Sequence, residues 1–145
     1  MVIQNVKNHI KYYTTHHFIY YPLLLIALIA SVIAYNHHPE QREVWIAIIA
    51  IFIFTGWLSF MMRQHYALGN QNRIVRLELR FRYYVITGKR LELLEPNLHF
   101  SQLAALRFAS DEELAALVER TLNENLTAQQ IKNLIVHWLP DHMRV

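Results

Sequence analysis

Apolar residues are unevenly distributed along the chain. They gather in two runs, Phe18 to Tyr35 and Val44 to Met62, of 18 and 19 residues, neither of which contains a charged side chain. A bilayer core about 30 Å thick calls for roughly 20 helical residues rising about 1.5 Å each. Both runs therefore have the length and character of transmembrane helices. Hiding two such runs as core helices of one small soluble domain is the weaker expectation. A cleaved signal peptide fits poorly too, since about seventeen residues precede the first run and a second run follows closely. The polar stretch 36–43 between them is short enough to force antiparallel neighbours. Small residues at helical spacing, Ala27, Ser31 and Ala34 on the first run and Ala47, Thr55 and Ser59 on the second, mark a close-packed seam within the hairpin or between copies.

Beyond Met62 the pattern becomes amphipathic. At 100° per residue, Ile74, Leu77, Phe81, Tyr84 and Val85 share one stripe and Arg73, Arg76 and Arg80 the neighbouring one. This predicts a helix over 63–90, with Gly69 and Asn70 as a break and Gly88 as its stop. Short helices follow: one capped by Ser101 and running to Ala109, one opened by a capping box at Ser110-Asp111-Glu112-Glu113, and one opened by a box at Thr127-Ala128-Gln129-Gln130 and stopped by Pro140. The last carries Ile131, Leu134, Ile135 and Trp138. About fifty residues in three short helices make a marginal core alone, so the apolar stripe of the basic helix is expected to complete it. The predicted fold is all-α: an interfacial segment 1–17, a transmembrane hairpin 18–62, a basic helix 63–90 forming a long cytoplasmic extension, and a small helical bundle at 91–145.

Composition narrows the chemistry. The chain has 145 residues, 54% hydrophobic and 17% charged, with three Gly and no Cys. Thiolate nucleophiles and cysteine-ligated metal sites are excluded, and so few glycines leave little room for a phosphate-cradling loop or a nucleophile elbow. Net charge is +3, and it is polarised. Residues 63–90 hold seven basic residues and one acid, a net of +6, whereas 91–145 hold four and eight, a net of −4. The turn carries Glu40, Arg42 and Glu43, a net of −1. Lys7, Lys11 and the arginines after the second run flank the other side. Positive residues stay cytoplasmic, which predicts both flanks in the cytoplasm and His37-His38-Pro39 outside. Tyr12, Tyr13, Tyr20, Tyr21, Phe60 and Tyr66 would form the inner aromatic belt, with Tyr35 and Trp45 at the outer one.

Arg73, Arg76, Arg80 and Arg82 are the candidates for binding lipid headgroups or a protein partner; otherwise they supply inside charge or pair with the acidic tail. A nucleic-acid contact is the weaker use of the same helix, lacking any recognisable motif. Nine histidines invite a metal search. His16, His17 and His65 lie near the inner ends of the two runs and are the candidate haem or metal ligands. His37 and His38 fit a solvated turn or a weak site, and His137 and His142 match no zinc spacing. No charge lies within either run, which argues against an ion path.

Several segments resemble a family. They are Gln4-Asn5, Lys7-Asn8-His9, His16-His17-Phe18, Tyr21-Pro22, Trp57 to Met61, Arg63 to Leu68, Asn72 to Glu78, Gly88-Lys89-Arg90, Gln102 to Glu113 and Asp141 to Val145. Together they resemble a family of small bacterial two-span membrane proteins of unknown function, over nearly the whole chain. Thr14-Thr15 stands where that family often has proline. The resemblance implies location and architecture and brings no activity, cofactor or site. The expectation is thus a non-enzymatic scaffold or accessory subunit of the bacterial inner membrane, without cofactor, small-molecule substrate or nucleic acid. Its partners would be lipids and a larger membrane complex or further copies of itself. The alternatives are a haem- or metal-binding membrane protein and a membrane-tethered nucleic-acid or lipid-binding regulator.

Overall fold

A computed structural model describes residues 4–9 and 12–141. Lys11, His142 and Arg144, and the resemblance over 142–145, lie outside the described residues. Among the described residues the regular elements are helical, apart from one isolated antiparallel bridge between Ala109 and Trp138. The chain divides into two compact units: a hairpin, residues 12–69, and a bundle in which residues 4–9 join residues 70–141. The sequence-based domains split differently: 63–69 go with the hairpin, while 70–90 and 91–141 form one unit that residues 4–9 join.

In the hairpin, a wide π-type turn at Thr15–Tyr20 leads into α1 (Tyr21–His37), a tight turn at Pro39–Gln41 reverses the chain, and α2 (Arg42–Met61) returns to a second π-type segment, Met62–Ala67. Pro22 lies just after the π-type turn, where the widened pattern, with Tyr21 N donating to His16 O, accommodates a residue that has no N–H to donate. Ser31 is buried in the seam and its Oγ donates to the Ala27 carbonyl at 2.8 Å. About two turns away along the seam, Gly56 of α2 faces Leu24 of α1, where an added Cβ would sit 3.0 Å from Leu24 Cδ2; the absent side chain lets the helices approach. Ala47 and Thr55, expected in the seam, are exposed instead, so α2 is turned to present Phe52, Gly56 and Ser59 inward. Thr55 Oγ1 donates to its own helix at Ile51 O, 2.7 Å away. Helical residues around each apolar run extend over Thr15–His37 and Pro39–Thr87, both long and apolar enough to cross a membrane, and their most apolar windows are only 6% and 0% buried within the protein.

The bundle is built on α3 (Leu68–Thr87), with the division between units falling at Gly69 and Asn70. The helix passes through these residues without the expected break and stops at Gly88, whose φ of +67° is the left-handed geometry that favours glycine. Two tight turns, Leu91–Leu93 and Glu95–Asn97, lead to α4 (Phe100–Leu106), α5 (Asp111–Glu124) and α6 (Ala128–Leu134). The core comprises Leu79, Tyr83, Leu91, Leu103, Leu106, Leu114, Val118 and Ile131, all fully or almost fully buried.

Local signals explain the helix ends with three corrections. The box at Thr127 forms: Gln130 N donates to Thr127 Oγ1 at 3.3 Å and Thr127 N to Gln130 Oε1 at 2.8 Å. The cap of α4 is His99, with Gln102 reaching back to its amide, and not Ser101. Gln102 is fixed there because its Nε2 also donates to the buried Leu126 carbonyl at 2.8 Å. The box at Ser110 does not form, because Glu113 is drawn away: its carboxylate accepts the amides of Val136 and His137, each at 3.1 Å. That same contact ends α6 at Leu134, well short of Trp138, and leaves 135–139 non-helical, bent at 136–137, so that Leu139 N reaches Phe108 O at 2.7 Å.

Candidate functional site

The residues nominated for partner binding lie on α3, and the structure gives its faces opposite roles from those expected. Val75, Leu79 and Tyr83 make the buried face. The wider stripe of Ile74, Leu77, Phe81, Tyr84 and Val85 is exposed, with Leu77 and Phe81 each at 67%. The expectation that this stripe completes the core is therefore corrected. Charge decides the rotation: the arginines flanking the narrower face find acids there.

Arg80 and Glu95 form a two-pronged pair, Nε to Oε1 at 3.1 Å and Nη2 to Oε2, while Arg76 Nη1 lies 3.9 Å from the same carboxylate. The Glu95 side chain is only 9% exposed. Its hydrogen bonds hold the Arg80 guanidinium above its ordinary pKa, against the opposing effect of burial. Arg82 clamps the α4–α5 junction. It donates to Asp111 Oδ1 from Nε and Nη2, at 3.0 and 2.7 Å, and to the carbonyls of Arg107 and Ala109 at 2.9 and 2.7 Å. Of the four candidates, Arg76, Arg80 and Arg82 thus face acids of their own chain. Arg73 is exposed and forms no ion pair among the described residues.

Tyr83 is buried beside this network, and burial, aided by the charge of Glu119, pushes its phenol above the ordinary value of 10.0. The neutral phenol is the form the fold prefers. Its stabilisation is present below pH 10 and is lost as pH rises through the higher folded-state value. We expect the bundle's denaturation midpoint to fall above pH 10, and Tyr83→Phe to remove much of that fall; equal alkaline sensitivity of both proteins would exclude Tyr83 as the source.

The hairpin places the histidines as follows. His17 Nδ1 donates to Tyr13 O at 3.0 Å, and Arg63 Nη1 donates to His17 Nε2 at 2.7 Å. Both ring nitrogens are thereby used within the protein, and the second faces a cation where a metal would need a lone pair. His16 stacks on Tyr20 with ring centroids 5.4 Å apart and meets Tyr21 edge-on at 4.7 Å. His65 is exposed in the second π-type segment. Among the described residues no group of three or more His, Cys, Asp or Glu is placed to hold a metal ion. On the turn between α1 and α2, His38 Nδ1 lies 3.3 Å from Glu40.

The bundle also has a cleft of about 390 Å³, lined by His9, Asn72, Phe100, Arg107, Phe108 and Lys132 among others. His9 Nδ1 donates to Val6 O at 2.8 Å and its Nε2 accepts from Lys132 at 2.9 Å. Arg107 bonds Asp141 at 3.1 Å and lies over the Phe108 ring. Gln4 and Asp141 bond in both directions, the amide of Asp141 donating at 2.7 Å. No periodicity joins residues so far apart in the chain, so the sequence carries no sign of this cluster.

The full chain, residues 1–145, matches the model of a family of unknown function, DUF6526. The chain belongs to that family. No curated protein and no solved structure matches it significantly.

Proposed function

We propose that the protein is a non-enzymatic scaffold or accessory subunit of the bacterial inner membrane. The hairpin anchors it, and the cytoplasmic bundle displays the outer stripe of α3 for assembly. One observation carries the reading: two helices of bilayer length leave their apolar side chains outside any protein core, at 6% and 0% burial, while the bundle closes its own core. Water does not tolerate apolar patches of that extent, whereas lipid does. A core helix of a soluble protein would be mostly buried.

Topology has two supports. Charge favours a cytoplasmic side for the arginine-rich flank. Independently, residues 4–9 pack with residues 70–141, which requires an even number of crossings between them. The docking surface in this reading is the apolar stripe, since Arg76, Arg80 and Arg82 are engaged internally.

The chain lacks native cysteine, so one introduced thiol reports cleanly. In a carbonate-resistant membrane fraction, His38→Cys is expected to react with an impermeant maleimide from the periplasmic side only. Labelling only after cytoplasmic access would invert the topology, and recovery in the soluble fraction would end the membrane reading.

A further inference from the structure

We infer that the exposed stripe of α3 pairs with the same stripe of a second copy, as a short parallel two-stranded coiled coil. The inference rests on the membrane-anchor reading above. Ile74, Leu77, Phe81 and Tyr84 recur at spacings of three, four and three residues, so they fill successive a, d, a and d positions of two heptads. A β-branched residue at a followed by Leu at d is the combination that favours two parallel strands. Positions b, f and c of the same helix, Val75, Leu79 and Tyr83, are buried in the chain's own bundle. The bundle thus presents the seam outward.

Charge selects a second copy over a lipid surface. Arg73 falls at g and Glu78 at the following e, one on each border of the stripe, and both are exposed. Five residues apart on one helix they point about 140° away from each other, and neither makes an ion pair among the described residues. Between two parallel helices, however, g of one lies against the following e of the other. Arg73 would meet the partner's Glu78, and Glu78 the partner's Arg73, on both sides of a two-fold axis. A helix lying on anionic lipid would gain nothing from an acid on that border. The next g position, Arg80, is held by Glu95, leaving Val85 at e to widen the apolar seam.

Two heptads span only about 21 Å, too short to join two chains firmly in dilute solution. Anchoring supplies the remainder. Chains inserted in the same sense carry α3 in the same sense, and confinement to the bilayer raises their effective concentration.

The test uses the full chain in native membranes. Under mild oxidation Leu77→Cys, at d, is expected to give a disulfide-linked dimer, while Asn72→Cys, at f, gives none. Adding Arg73→Glu should lower the Leu77→Cys dimer fraction roughly fivefold, the effect of two symmetry-related exposed pairs. Adding Glu78→Arg as well should restore it. Equal linkage at 72 and 77, no linkage at 77, or failure of the double reversal to rescue would overturn the proposal. Burial of a fluorophore at 77 in lipid without linkage would assign the stripe to the bilayer and overturn it too. A membrane-bound chain that does not link refutes the dimer alone; a soluble chain refutes the anchor and the confinement with it.

Discussion

Leu79→Ala is expected to destabilise the bundle by about 3 kcal/mol, the cost of a cavity where a fully buried leucine stood, while Leu77→Ala changes monomer stability by less than about 0.5 kcal/mol. The two residues share a helix and a chemistry and differ in face: Leu79 is 1% exposed and Leu77 67%. Hydrogen exchange on the intact chain at low protein-to-lipid ratio separates the bundle from the hairpin. The expected result is faster exchange across α4, α5 and α6 for the Leu79 variant only. The reverse order would mean that α3 is rotated by half a turn from the orientation described.

Arg82→Ala is expected to cost about 2–3 kcal/mol. Its guanidinium is a charged donor to Asp111 and to the carbonyls of Arg107 and Ala109, and charged hydrogen bonds of this kind contribute more than neutral ones. Asp111 is itself largely exposed and adds little; most of the loss comes from the two carbonyls left without donors at the α4–α5 junction. Arg82→Lys should recover less than half, because an ammonium cannot span a carboxylate and two carbonyls at once. In the same exchange measurement, the amides between Arg107 and Glu113 should open first. Full protection in the alanine variant would refute the clamp.

Much of the architecture was legible in the sequence. Two uncharged runs marked α1 and α2, Gly88 marked the end of α3, and the Thr127 box marked the start of α6. The orientation of α3 was not legible, because both of its faces are apolar. Ile74, Leu77, Phe81, Tyr84 and Val85 form the wider stripe and would claim the core on hydrophobicity alone. The outcome turned on Glu95 and on the Arg107 and Ala109 carbonyls, which fold back onto Arg80 and Arg82 from 15, 25 and 27 residues away. Local propensity does not encode such distances. Ser110 shows the same limit: its box was sound as a pattern, but Asp111 and Glu113 had stronger uses elsewhere. The internal use of Arg82 was hidden for the same reason, its charge being visible in the sequence and its carbonyl partners not.

The attachment of residues 4–9 to the bundle imposes an order on assembly. This segment is synthesised well ahead of its partners: His9 bonds Lys132, 123 residues later, and Gln4 bonds Asp141, 137 residues later. The whole hairpin, α1 and α2, is synthesised between these partners. Residues 4–9 must therefore wait undocked until α6 and the stretch to Asp141 have been made. If the hairpin spans a membrane as proposed above, closure of this segment onto the bundle occurs only in a molecule whose two crossings have both succeeded.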